Sequence, residues 1–219
     1  MPTPAITMIR PEAIEARSFA IIEEEFERQT GRRPDEFPAA EFAVIRRVIH
    51  ATADFSFAHA LRFHPRAIAT AIRMLKAGRA IVTDVHMTAT GISKAGLSPW
   101  GCPVLCELGH PDLATQAAAL GLTRSETAIR QALEQHPGII AIGNAPTALL
   151  AVIKHYQERP EPWQGVIIGA PVGFVNAAES KALLAEQEIP HIVALGRKGG
   201  SPVAAAIVNA LVRLAQAEV

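Results

Sequence analysis

The last two thirds of the chain alternate short aliphatic runs with amphipathic stretches, whereas the first third holds amphipathic stretches alone. Between Pro11 and Gly31, Ile14, Ser18, Ile21 and Ile22 line one side, Pro11 suits the first helical position, and Gly31 closes the segment. From Ala39 to Ala51, Phe42, Ile45 and Ile49 recur at helical spacing. A third segment opens at Pro65, carries Ile68, Ile72 and Leu75 on one face, and meets Gly78 just past its end. Residues 1–78 are therefore predicted to be helical and to contain no strand. Beyond them, runs at 80–85, 103–108, 139–143, 166–169 and 191–195 read as strands. The helices between them carry start signals. Thr123 with Glu126, and Asn176 with Glu179, have capping-box spacing, Ser201-Pro202 offers an N-cap with proline at the first turn, and Asn144-Ala145-Pro146 plays a similar part.

Near-continuous apolar strands alternating with helices imply a parallel sheet buried on both faces. Right-handed crossovers then give an α/β chain with a doubly wound, five-stranded parallel sheet and a helical N-terminal portion. No repeat, low-complexity tract or long linker divides residues 1–219, so a single domain is expected.

Composition narrows the function. The 21 basic and 21 acidic residues cancel, and no Lys/Arg run exceeds two, so neither nucleic acid nor an anionic membrane is an expected partner. No apolar stretch approaches the roughly 20 residues of a membrane span, and the first residues lack a signal pattern, which points to the cytoplasm. Cys102 and Cys106 lie four apart, outside any C-x-x-C arrangement, and read as free thiols.

In such sheets ligands bind beyond the carboxyl ends of the strands. The chain places Thr83, Asp84, Met87 and Gly91 after the first strand and Asn144 after the third. Gly173 and Phe174 follow the fourth, with Lys181 in the next helix, and Arg197, Gly199, Gly200 and Ser201 follow the fifth. Each glycine taken singly is an ordinary turn residue. Together the loops offer backbone N–H groups at helix starts, where carboxylate or phosphate oxygens bind. Arg124 is oddly placed for a structural cation, since it opens a helix against the dipole. No nucleotide fingerprint, nucleophile elbow or metal box is present.

Residues 46–65 stand out by holding His50, His59 and His64 in an otherwise aliphatic chain. His50 follows Ile49 at the edge of the apolar stripe, near the carbonyl end of its helix, a setting that suits a half-sheltered proton donor. A lone histidine there is equally an ordinary helix-end residue, and the three lack the spacing of a zinc site. From these residues alone, the chain is an enzyme or binding protein for an anionic, partly apolar ligand, with histidine as the acid–base group.

Several blocks resemble, in order, the precorrin-8X methylmutase (precorrin isomerase) family of cobalamin biosynthesis. They are Arg17-Ser18-Phe19, Val48-Ile49-His50-Ala51-Thr52-Ala53-Asp54, Thr83-Asp84 with Met87 and Gly91, Thr123-Arg124-Ser125, and residues 141–148 around Gly143-Asn144-Ala145-Pro146-Thr147. The series ends with 169–181, through Gly173-Phe174-Val175 to Lys181, and with Arg197 to Ser201. The resemblance implies a three-layer, flavodoxin-like α/β/α fold, a homodimer, and a cofactor-free isomerase that binds no metal of its own. It implies migration of a methyl group from C11 to C12 of precorrin-8X or cobalt-precorrin-8, giving hydrogenobyrinate or cobyrinate. It assigns catalysis to His50 and adds Arg17 and Ser18 to the substrate-binding residues. The residues after His50 look more like the cobalt-route members. A non-catalytic corrinoid carrier is the alternative.

Overall fold

In the computed structural model, residues 8–158 and 163–217 are described. The elements run α1 (Pro11–Thr30), α2 (Ala39–Thr52), α3 (Phe57–Ala60), β1 (Leu61–Phe63), α4 (Ala67–Lys76), β2 (Ile81–Thr83), α5 (His86–Gly91), α6 (Lys94–Leu97) and β3 (Val104–Leu105). They continue with α7 (Leu113–Leu120), α8 (Arg124–Leu133), β4 (Ile139–Ile142), α9 (Pro146–Gln157), β5 (Val166–Gly169), α10 (Ala177–Ala185), β6 (His191–Ala194) and α11 (Ser201–Ala217).

All five expected strands form, and they lie in the doubly wound order β3-β2-β4-β5-β6, each neighbouring pair parallel. One correction concerns residues 1–78, which do contain a strand: β1 pairs antiparallel with β6 and makes the sheet six-stranded, with Arg62 opposite Val193. Three residues with a charge in the middle carry no strand signal, and the pairing arises because β6 leaves an open edge. Arg62 covers the outer side of β1, its Nη1 donating to the His59 and Leu61 carbonyls.

Successive strand residues point to opposite faces. Ile81, Ile139, Ala141, Val166, Ile168, Ile192 and Ala194 join one core with α2, α4 and α11. Val82, Ile140, Ile142, Ile167 and Val193 join a second core with α8, α9 and Leu184 of α10. The layers are thus α/β/α. In α11 the buried face is rich in alanine, at 204, 205, 206, 210 and 215, so both the sheet and α2 approach it closely. That packing sets α2, with His50 in its last turn, alongside α11.

Helix starts depart from expectation in two places. Thr123 caps α8, accepting the Glu126 N–H at 3.1 Å. Asn176, by contrast, adopts a left-handed conformation (φ 60) and makes no side-chain cap. Ser201 is itself the first residue of α11, and its buried hydroxyl accepts from Thr88 Oγ1 at 3.0 Å instead of capping.

Candidate active site

The strand order reverses between β2 and β4, where folds of this kind commonly bind phosphate. Here the chain's own carboxylate fills that place. Asp84, 1% exposed, accepts the Gly143 N–H at 2.9 Å on Oδ1 and the N–H groups of Asn144 and Ala145 at 2.8 and 2.7 Å on Oδ2. Burial raises its pKa above the ordinary carboxylate value, and the three N–H donors pull the other way. Asp84 is thus a bracket between strand ends, and the N–H groups of 143–145, which the sequence offers to a ligand, are already satisfied. Thr83 is likewise internal, donating to the Val85 and Leu105 carbonyls at 3.3 Å. Gly143 is required for the close approach of β4, α5 and α11, because a Cβ there would lie 2.5 Å from Thr88 Oγ1 and 2.8 Å from the Ser201 Cα.

Toward the other edge of the sheet, at the same strand ends, the loops after β5 and β6 meet the exit of α2. Lys198 Nζ donates to Asp54 Oδ2 at 2.7 Å and to Ser56 Oγ at 3.1 Å. Burial pushes Asp54 up, but the Lys198 ammonium and the Ser56 hydroxyl and N–H outweigh it and hold the carboxyl below its ordinary range. The Gly173 N–H donates to the Arg197 carbonyl at 3.2 Å, and the Gly200 N–H to the Ala170 carbonyl at 2.8 Å. Gly199 lies against that same Ala170 carbonyl. The Arg197 guanidinium sits 5.5 Å from the Phe174 ring centroid. Phe174 is 82% exposed, Val175 77% and, at the start of α5, Met87 70%.

His50 is half-buried and meets the Phe19 ring edge-on, with centroids 5.3 Å apart. Phe19 in turn lies under the guanidinium groups of Arg46 and Arg47, at 4.3 and 4.8 Å. Arg47 donates to Glu15 at 2.9 Å and Arg213 lies 3.1 Å from it. The Arg47 hydrogen bond holds the Glu15 carboxyl below its usual value against partial burial, with the fields of Arg47, Arg213 and His50 adding to the pull. The hollow bordered by Glu15, Phe19, Arg46, Arg47 and Arg213 encloses about 240 Å³, below the roughly 300 Å³ at which small-molecule pockets begin.

Other expected residues scatter. Ser18 donates to the Ile14 carbonyl, one residue before Phe19, while Arg17 pairs with Glu24 on the outside of α1. Gly91 packs α5 against α11, and Asn209 donates to its carbonyl. Arg124 donates weakly to the Leu108 carbonyl at 3.4 Å, beside the Thr123–Thr147 hydroxyl contact that joins α8 to α9. Asn144 leaves its side chain exposed. Lys181 lies deepest: it is 0% exposed, and its Nζ donates to the Lys198 carbonyl at 2.8 Å. The histidines separate, His59 bonding the Thr30 carbonyl and His64 packing on His191. Among the described residues no group of three or more His, Cys, Asp or Glu is arranged to hold a metal. Phe19, which meets the imidazole, and Glu15, whose carboxyl feels its field, are absent from the expected site. The Glu15-to-Phe19 spacing of four, one helical turn, is the signal that places the two on one face.

The profile of the precorrin-8X methylmutases matches residues 13–214. The chain belongs to this family. A cobalt-precorrin-8 methylmutase of Priestia megaterium is 40% identical over 212 residues, covering 96% of this chain and 91% of that protein. A precorrin-8X methylmutase of Sinorhizobium sp is 40% identical over 205 residues, covering 92% and 93%. The crystal structure of precorrin-8x methyl mutase from Thermus thermophilus superimposes with a TM-score of 0.83 at 38% identity, covering 94% of this chain and 97% of that one. Family membership agrees with the six-stranded, doubly wound frame.

Proposed function

We propose that the chain is an isomerase of cobalamin biosynthesis that moves a methyl group from C11 to C12 of a precorrin-8 macrocycle, with His50 as the proton-handling residue. The family match across residues 13–214 carries this reading. The site's chemistry is consistent with it. A methyl shift between adjacent ring carbons needs no nucleophile on the protein. It needs the ring held in one tautomer and conformation, and a proton managed while conjugation rearranges. A positioned imidazole contributes on the order of 10²–10⁴-fold by general acid catalysis, and the remainder comes from binding the rearranging ring better than the resting one. The exposed Phe174, Val175 and Met87 offer apolar contact for the ring, and Arg197 and Arg124 offer charge for its carboxylates.

The same surface supports a homodimer, since a second copy would cover apolar side chains that one chain leaves open. We propose that the protein works in the cytoplasm, where its family's substrates are made. Among the described residues no helix is long and apolar enough to cross a membrane.

A relative named for cobalt-precorrin-8 and one named for precorrin-8X are both 40% identical to this chain. The test is accordingly to incubate the protein with both substrates and follow the visible spectrum. Multiple turnovers of one or both are expected, and a shift that stops at one equivalent would mean a carrier. His50→Ala should abolish turnover and still bind corrinoid product; loss of binding in a folded variant would remove His50 from its proposed role.

A further inference from the structure

The loop after β6 is held from two sides through one residue. From one face of the sheet, α10 sends Lys181 into the interior, where its Nζ meets the Lys198 carbonyl at 2.8 Å. Toward the other face, the Lys198 side chain reaches Asp54 and Ser56 at 2.7 and 3.1 Å. The contacts continue inward. Asp54 Oδ1 accepts the Ser56 N–H at 2.9 Å, the Asp54 N–H donates to Thr52 Oγ1 at 3.3 Å, and that hydroxyl donates to the Val48 carbonyl at 2.8 Å. Val48 and Thr52 flank His50 in the last turn of α2. An unbroken series of polar contacts therefore runs from the far helical layer, across the sheet's end, to the turn that carries the imidazole.

Stability explains this arrangement poorly. An ammonium taken wholly out of water and given a carbonyl is a costly group, and an apolar side chain of similar length often serves such a place equally well or better. Direct substrate contact explains it no better, because Lys181 is enclosed and points at the backbone. We infer that Lys181 and Lys198 are positioning residues acting in series, which fix the exit of α2, and with it His50, against the loop after β6. The inference rests on the reading of His50 as the proton-handling residue.

The test uses the full chain with Lys181→Met, Lys198→Met and the double variant, on whichever precorrin-8 the wild type turns over. Each single variant should lower kcat on the order of ten- to a hundredfold, the scale on which small misplacements of a reacting group act. Corrinoid product should bind within about threefold of wild type, as expected when placement and not contact is lost. Melting temperatures should stay within about 5 °C. The double variant should be no slower than the slower single, because a series is broken once. Lys181→Met should also speed amide exchange at residues 54–58, which it does not touch. The reversed pair Asp54→Lys with Lys198→Asp should regain most of the activity lost in Lys198→Asp.

Multiplying effects in the double variant would overturn the inference. So would affinity falling in step with kcat, or unchanged exchange at 54–58 in Lys181→Met. If Lys181→Met does not fold, Lys198→Met and the reversed pair decide by the same kcat and affinity readouts. A wild type inert on both substrates would instead overturn the isomerase reading, while the exchange measurement would still report on the series.

Discussion

Asp84 and Lys181 carry opposite charges among the same strand ends, and both are closed off from water. For Asp84 three backbone donors make the ionised form a structural part. For Lys181 a lone carbonyl does less, and burial lowers its pKa from 10.5 to about 8. The direction fixes a pH effect. Below about 8 both folded and unfolded chains hold the proton, and the fold bears the penalty of enclosing it. Between about 8 and 10.5 the unfolded chain binds more protons, so folding stability rises with pH across that window. The gain is at most about 3 kcal/mol before solvent screening. Urea unfolding at pH 7.5, 9 and 10 should show this rise in the wild type relative to Lys181→Met; parallel curves would mean that the amine is not desolvated. Residue type and position made the setting of His50 legible, since it adjoins an apolar stripe at a helix end. The enclosure of Asp84 and Lys181 was not legible, because a charged residue after a strand, or within a helix, reads as solvent-facing or ligand-facing until the long-range packing that encloses it is known.

At the level of elements, parallel strands announced themselves because most are buried on both faces and nearly every residue in them is apolar. The edge strand β1 is legible only from its partner: Leu-Arg-Phe is too short to show a period, and its pairing is set by residues 130 positions away. Short helices such as α5 share this fate. What holds α5 in place is Gly91, where an added Cβ would come within 2.8 Å of the Ala205 Cβ on α11. Gly91→Ala should push the two helices apart and destabilise the fold by about 1–3 kcal/mol, the usual range for overpacking. Because α5 also presents Met87 and the Thr88–Ser201 contact, corrinoid binding should weaken with it. A denaturant midpoint unchanged from wild type would show that α5 tilts freely.

Across the whole molecule, the candidate site is assembled from parts far apart in the chain. The helical N-terminal portion supplies His50 and Phe19, and the sheet portion supplies the loops at 170–176 and 196–200. The motif order made the family legible, but the side chains around His50 depend on how α1 and α2 lean on α11. One chain leaves Phe174, Val175 and Met87 largely exposed. Sedimentation velocity at micromolar concentration should give a dimer, and Phe174→Asp should shift it toward monomer; a wild-type monomer would assign these side chains to substrate alone.

The carboxylate lodged between β2 and β4 also limits what this frame can host. An anion seeking the N–H groups of residues 143–145 would have to displace a covalently tethered one that already accepts all three.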